Sequence, residues 1–275
     1  GAMIGIADTV SIKDCQVNKQ KNSNLTLNLS NDKDSTSTNI NTYVGGLVGY
    51  ANAVTTSNNN DSMIYADLNI SSLKASKFAI GGIVGETVTS TFNKVECETN
   101  INIATVSDNN IYNSFTNAYI GGFVGYTHTK SRYELCISSG DITVDENNYA
   151  TSINNIGGFA GLVGEKNGNI NRCYTLTNID IASQISSTTA YVGGFVGLYN
   201  SNINTSSLKN SISAGYINAT VKQDKTNSYA IGGFVGRQQS GNISYNTSFT
   251  TLFTKNYMTS DFSNVGGFMG TIDNG

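Results

Sequence analysis

The chain has 275 residues, 38% of them hydrophobic, and a formal net charge of −3 at pH 7. Its Lys and Arg residues form no long cluster, so the basic stripe that nucleic-acid binding requires is missing and we expect no nucleic-acid partner. The sequence also lacks a run of about 18 apolar residues, which argues against direct insertion into a membrane.

The first residues carry little structural information. Residues 1–3, Gly-Ala-Met, have the appearance of an expression scar, and we exclude them from the fold. Ile4, Gly5 and Ile6 then look like a clipped copy of a phrase that recurs later in the chain. We therefore expect residues 4–275 to form a single domain that is a fragment of a longer repeat array.

The recurring phrase is apolar, Gly, Gly, apolar, apolar, Gly, and it occurs seven times. The copies begin at Val44, Ile80, Ile120, Ile156, Val192, Ile231 and Val265, so they follow one another at nearly constant intervals. A regular period of this kind is typical of one supersecondary unit stacked on copies of itself. The phrase therefore predicts a repeat architecture.

The second half of each repeat alternates apolar and polar residues, which predicts a β-strand. The alternating pairs include Ile142 with Val144, Ile179 with Ile181, and Ile217 with Ala219. Asn, Ser and Thr, 99 residues in all, are abundant in the polar loops between such strands, and no segment keeps a helical period. We predict an all-β fold with little or no helix: a parallel β-solenoid, or right-handed β-helix, of about seven to eight repeats. Each repeat would be about 34–40 residues long and contain two to four short strands.

One position within the phrase should form an interior ladder. The residue after each Gly pair is large and apolar, and in a parallel coil these side chains would stack on one another. The Gly pair itself would permit either a tight turn or the close approach of another backbone. The ladder positions are Leu47, Ile83, Phe123, Phe159, Phe195, Phe234 and Phe268.

The cysteines follow the same repeat. Alignment of the copies places Cys97, Cys136 and Cys173 in one column, and Cys15 lies in the clipped first copy. The other copies have Ser62, Ser211 and Asn246 at this position. We expect small, buried, free thiols, because three thiols in consecutive coils could not all pair and no Cys-x-x-Cys spacing supports a zinc site.

The repeats resemble the GLUG repeat, whose glycine, leucine, hydrophobic, glycine core is matched literally by 46–49, Gly-Leu-Val-Gly. The Ile-x-x-Cys-Tyr stretch of that family is similar to 170–174. Most copies here have Phe in place of Leu. The resemblance covers nearly the whole chain and implies a β-solenoid stalk or adhesive region of a secreted or surface-anchored protein. It implies no catalytic residue.

The residues themselves offer little for catalysis. His128 is the only histidine, and neither a His-Glu-x-x-His motif nor a Ser-His-Asp triad can be built around it, so we expect an exposed loop residue. A polysaccharide-processing β-helix enzyme, a lyase or hydrolase, is the alternative, and it would need carboxylates clustered across neighbouring coils. The position after each phrase holds no acidic column. We therefore predict a non-enzyme with no catalytic, cofactor-binding or metal-binding residue.

Two kinds of feature are candidates for recognition. Tyr43, Tyr119 and Tyr191 precede the phrase in three copies and could form a sugar-stacking stripe, although packing is the simpler interpretation. The long loops Asn31–Asn41 and Ser107–Asn117 are better places to bind a ligand. We expect an extracellular adhesin or rigid stalk that binds a host or neighbouring-cell glycan or protein through its loops. A passive scaffold beside a protease domain in the parent chain is a further alternative.

Overall fold

The computed structural model describes residues 3–13, 15–17, 26–29, 41–56, 62–71, 74–104, 114–145, 153–164, 168–181, 189–201, 207–221, 228–256 and 264–273. These residues form a parallel β-solenoid with four sheets and no helix, which confirms the predicted fold class. None of them therefore belongs to a helix long and apolar enough to cross a membrane.

Each sheet takes every fourth strand of the chain. Sheet I contains β1 (Ile4–Asp8), β5 (Val48–Asn52), β9 (Val84–Val88), β13 (Val124–Thr127), β17 (Ala160–Val163), β21 (Val196–Asn200), β25 (Val235–Ser240) and β29 (Met269–Ile272). Sheet II contains β2 (Ser11–Ile12), β6 (Thr55–Thr56), β10 (Thr91–Asn93), β14 (Arg132–Glu134), β18 (Asn169–Asn171), β22 (Ser207–Lys209) and β26 (Asn242–Ser244).

The other two sheets complete the coil. Sheet III contains β3 (Thr26–Leu29), β7 (Ser62–Ser71), β11 (Val95–Ala104), β15 (Ile137–Val144), β19 (Tyr174–Ile181), β23 (Ile212–Val221) and β27 (Thr247–Asn256). Sheet IV contains β4 (Asn41–Gly45), β8 (Lys74–Gly81), β12 (Ser114–Gly121), β16 (Ile153–Gly157), β20 (Thr189–Gly193), β24 (Ser228–Gly232) and β28 (Asn264–Gly266). Each strand pairs in parallel with its counterpart in the next coil, so one sequence repeat makes one coil of four strands.

The predicted interior ladder is present at the centre of the stack. The rings of Phe123, Phe159, Phe195, Phe234 and Phe268 lie face to face, with successive centroids 4.8, 4.9, 4.8 and 4.9 Å apart. This distance equals the spacing of hydrogen-bonded strands, about 4.8 Å, so each coil contributes one ring at the same height as its backbone. Around the ladder, one connected apolar cluster extends from Ala7 to Val235.

The alternating strand predicted in the second half of each repeat is also confirmed. Sheet III pairs Ile142 with Ile179 and Val144 with Ile181, and all four side chains are buried. The next coil places Ile217 beside Ile179. The period of two therefore sends these apolar side chains into the core and their polar neighbours to the surface.

The Gly pairs serve close backbone approach. A Cβ built on Gly194 would lie 2.1 Å from the carbonyl oxygen of Gly233 in the next coil and 2.5 Å from Oγ1 of Thr250. Among the glycines that the structure describes, positive φ angles occur only at Gly140, Gly215 and Gly241, so the pairs are not left-handed turns. Of the two roles predicted for the Gly pair, the structure therefore supports close approach.

A column of hydroxyl groups inside sheet III, which the sequence did not reveal, faces these glycines. Ser138 Oγ and Thr177 Oγ1 each donate a hydrogen bond of 3.0 Å to the carbonyl oxygen of Gly158. Two coils further on, Ser213 Oγ donates to the carbonyl oxygen of Gly233 at 2.9 Å. These hydroxyls satisfy carbonyls that the bend turns toward the interior, where an unpaired polar group would be costly.

The predicted cysteine column is wrong at one position. Glu96 pairs with Ile137, which places Val95, not Cys97, beside Cys136. Cys97 lies two positions further along and pairs with Ser138. The coils differ in length at their turns, so matching Cys to Cys by sequence shifted the register by two positions. Because the side-chain period of a strand is also two, Cys97 still faces the interior.

All four cysteines are free, and Cys97, Cys136 and Cys173 are buried whereas Cys15 is half-buried. Burial raises the pKa of the Cys97 and Cys173 thiols, which keeps them in the unreactive protonated form. We expect a thiol reagent at pH 8 to label at most Cys15 in the native protein and all four thiols after denaturation without reductant. A count of two or zero in the denatured protein would show that disulfides had formed.

Candidate functional site

The two loops predicted to bind a ligand lie largely outside the described residues. From Asn31–Asn41 only Asn41 is described, at the start of β4. From Ser107–Asn117 the described part, 114–117, belongs to β12. The recognition role of these loops stays a prediction.

His128 follows β13 and is half-buried, so the expectation of an exposed loop residue is wrong on exposure. Its ring lies 5.2 Å from that of Tyr126, and its backbone N–H donates to the carbonyl oxygen of Thr87 at 2.8 Å. Among the described residues, no group of three or more His, Cys, Asp or Glu side chains is placed to hold a metal ion. The histidine is therefore a packed turn residue with no acid or nucleophile assembled around it in the described part of the chain.

The position after each phrase does form one column on sheet I, and it contains one carboxylate. That carboxylate is Glu86, which is 4% exposed and forms an ion pair with the Lys77 ammonium. No second carboxylate stands next to it in the column, as the pair of acids in a glycosidase would require. The column reads Tyr50, Glu86, Tyr126, Leu162, Leu198, Arg237 and Thr271.

In one column on the outer face of sheet III, carboxylates alternate with amides instead of pairing with each other. Asn100 Nδ2 donates to Asp67 Oδ1 at 2.8 Å, and Asn178 Nδ2 donates to Asp141 Oδ1 at 2.9 Å. Asn100 lies between Asp67 and Asp141 in the strand register. These acids therefore take part in a structural hydrogen-bond ladder.

The predicted tyrosine stripe is interrupted. In sheet IV, Ala79 stands between Tyr43 and Tyr119, and Asn155 stands between Tyr119 and Tyr191. The residue at this position differs from coil to coil, so a tyrosine ring occurs only in every second coil. The three tyrosines consequently do not form a continuous surface on which successive sugars could stack.

These tyrosines pack into what we call the outer seam, where the outer faces of sheets IV and I meet beside the Gly pairs. Tyr43 lies 5.3 Å from the ring of Tyr50, and Tyr119 lies 5.0 Å from that of Tyr126. Burial raises the pKa of Tyr119, and the nearby Glu86 carboxylate raises it further. The outer seam is defined by Tyr43, Tyr50, Lys77, Glu86, Tyr119, Tyr126, Tyr191 and Arg237.

Charged groups, of which only Glu86 is buried, pack against the rings of the outer seam. The Lys77 ammonium lies 4.3 Å from the ring centroid of Tyr126, within cation–π distance, in addition to its ion pair with Glu86. Further along, the Arg237 guanidinium lies 5.0 Å from the ring of Tyr191, and its Nε donates to Asp273 at 2.9 Å. The tyrosine rings and the charged groups of the outer seam therefore contact each other. This agrees with the simpler interpretation, in which the tyrosines serve packing.

An open groove on the outer face of sheet II is the strongest candidate for a binding site. It has a volume of about 430 Å³ and crosses four successive coils. Its outward side chains are amides, hydroxyls and charged groups. We call it the sheet II groove and define it by Thr91, Asn93, Arg132, Tyr133, Glu134, Asn169, Asn171, Ser207 and Lys209.

The floor of the sheet II groove is ordered by hydrogen bonds between coils. Asn171 Nδ2 donates to both carboxylate oxygens of Glu134, at 3.0 and 2.8 Å. Asn169 Oδ1 accepts from the backbone N–H and the hydroxyl of Ser207, both at 3.1 Å. These bonds hold the polar groups in fixed positions, which reduces the entropy cost of binding a polar ligand.

The sequence missed this groove because its residues are widely separated in the chain. Arg132 and Lys209 are brought to one face only by the pairing of β14, β18 and β22. The available signal was the triplet of a polar, an apolar and a polar residue that follows most sheet I strands, such as 169–171. That triplet was not recognised as a strand of its own.

Comparison of the chain with known protein families, with curated proteins and with solved structures found no match. The resemblance to GLUG repeats therefore stays a prediction that is based on the repeated phrase and on the stretch at 170–174.

Proposed function

We propose that this chain is a non-catalytic extracellular repeat region that acts as an adhesin or rigid stalk and binds a glycan or protein ligand on its lateral surface. The observation that carries the proposal is the uninterrupted stack. Every described strand of each sheet pairs with the equivalent strand of the adjacent coil, and a continuous ring ladder lies inside.

A stack of this kind resists bending because adjacent coils share both main-chain hydrogen bonds and side-chain contacts. The eight strands of sheet I are separated by seven intervals of about 4.8 Å, which gives a length of about 34 Å. Such a body is suited to hold a binding surface away from its point of attachment. The side faces, rich in Asn, Ser and Thr, supply many hydrogen-bonding groups for a ligand.

The experiment is a binding array of glycans and matrix proteins probed with the labelled protein, with heat-denatured protein as the control. We expect saturable binding that requires the folded state. In parallel, the protein is incubated with polysaccharides and new reducing ends are measured. Release of reducing ends would overturn the non-catalytic assignment in favour of a polysaccharide-processing enzyme, and silence on the array would restrict the role to that of a stalk.

A further inference from the structure

The sheet II face carries an excess of positive charge, whereas the net charge of the whole chain is negative. The chain has 16 Lys and Arg residues and a net charge of −3. Six of these cations lie on the described part of sheet II or on the turns that border it, all of them exposed, whereas this part supplies one carboxylate, Glu134. The six are Lys13, Lys94, Lys130, Arg132, Arg172 and Lys209.

The single carboxylate is occupied within the protein. Glu134 accepts two hydrogen bonds from Asn171, and Arg172 Nη1 lies 3.8 Å from its Oε1. The guanidinium of Arg132 and the ammonium of Lys209 have no ion pair or side-chain hydrogen bond among the described residues. The sheet II groove therefore offers two uncompensated cations to solvent, and its charge is complementary to an anionic ligand.

The spacing of these cations suits an extended ligand. Arg132 lies on β14 and Lys209 on β22, two coils away, which corresponds to about 10 Å along the stack. A chain molecule with acidic groups on separate units can contact both cations without the two side chains having to converge, and it would follow the direction of the stack.

The polar groups between the two cations can form hydrogen bonds with sugar hydroxyls. Asn169 accepts from Ser207 through its carbonyl oxygen, and its amide nitrogen donates no hydrogen bond to another described residue. Thr91 and Asn93 add further polar groups at one end. The aromatic residue of the groove, Tyr133, points inward and is 1% exposed, so the groove has no ring on which a nucleic-acid base could stack.

We infer that the sheet II groove binds an acidic oligosaccharide, an extended glycan that carries carboxylate or sulfate groups. This inference rests on the proposed binding function and specifies its ligand class. Arg132 and Lys209 contact the acidic groups, and the amides and hydroxyls between them contact the sugar hydroxyls.

The test is calorimetric titration of the protein with four probes of similar length: oligogalacturonate, a heparin hexasaccharide, neutral cellohexaose and oligo-dT. We expect one or both acidic glycans to bind, the neutral glycan to bind at least tenfold more weakly, and affinity to fall as salt increases because the cations are exposed. The two acidic glycans distinguish a carboxylate ligand from a sulfate ligand.

Variants then locate the site. The double variant Arg132→Gln/Lys209→Gln should weaken acidic-glycan binding by about tenfold, as expected for the loss of two surface ion pairs. Lys255→Gln changes a residue of β27 in sheet III, a strand that does not belong to the groove, and should leave the affinity within about twofold. Circular dichroism should show that all variants keep the native spectrum.

Four results would overturn the inference. The first is equal affinity for neutral and acidic glycans, and the second is equal weakening by the groove and control variants. The third is binding of oligo-dT in preference to both acidic glycans, which would assign the face to nucleic acid. The fourth, failure with all four probes combined with a protein hit on the array, would reject the acidic-glycan site and leave the adhesive function standing.

Discussion

Gly194→Val is expected to lower the free energy of unfolding by about 3 kcal/mol or more, as severe overpacking does. The new Cβ would lie 2.1 Å from the carbonyl oxygen of Gly233, closer than any non-bonded contact allows. The obstacle is main chain, and it is fixed by hydrogen bonds between the two coils. Gly194 N donates to Gly232 O at 3.0 Å, and Phe195 N donates to Phe234 O at 2.8 Å. To admit a side chain, the coils must separate and these bonds must lengthen.

Urea denaturation followed by circular dichroism measures the effect, with Gly194→Ala as a second variant that carries only the Cβ. Gly168→Ala is the matched control, because a Cβ there would meet its nearest neighbour, Val163 Cγ1, at an ordinary 3.5 Å. We expect both Gly194 variants to unfold at clearly lower urea concentration and the Gly168 variant to stay near the parent protein. An unchanged midpoint for Gly194→Val would mean that the Gly pairs are not required for close approach.

The architecture was predictable because its signals are local and repeated. A phrase that returns at nearly constant intervals predicts stacked coils, and alternation such as that of Ile179 and Ile181 predicts which side chains are buried. Neither signal depends on matching every residue of one repeat to its equivalent in the next. A small error in aligning the repeats therefore does not change the predicted fold.

Surface features depend on which residues of neighbouring coils are paired, so they were harder to predict from the sequence. Thr87 pairs with Thr127, yet Thr91 pairs with Arg132, because the turn between these positions is one residue longer in the later coil. Such shifts displaced Cys97 from its predicted column. They also concealed the assembly of Arg132 and Lys209 on one face.

The interior hydroxyl column could not be predicted for a different reason. Ser and Thr on an alternating strand are normally assigned to the solvent side. Ser138 and Ser213 face inward because the Gly bend directs carbonyl groups toward sheet III, and those carbonyls need donors. The requirement arises from a contact with a glycine 20 residues away in the chain, which the alternation of the strand does not indicate.

Phe195→Ala is expected to destabilise the protein by about 3–5 kcal/mol, the usual cost of removing a buried phenylalanine side chain. Phe195 is fully buried and stacks on both sides, with ring centroids 4.9 Å from Phe159 and 4.8 Å from Phe234. Truncation removes two ring contacts at once and leaves a cavity at the centre of the stack. Neighbouring coils cannot close this cavity, because their spacing is fixed by the strand hydrogen bonds.

Two controls separate the loss of stacking from a general loss of volume. Phe195→Leu retains most of the apolar volume and places at this position the residue type that Leu47 has in its own coil, so its cost should stay below about 1.5 kcal/mol. Phe268→Ala removes a half-buried ring that stacks on Phe234 alone among the described residues, and it should cost clearly less than Phe195→Ala. If the two alanine variants unfolded at the same urea concentration, the continuous ring ladder would not be the element that joins one coil to the next. The strand hydrogen bonds alone would then have to account for the stiffness required of a stalk.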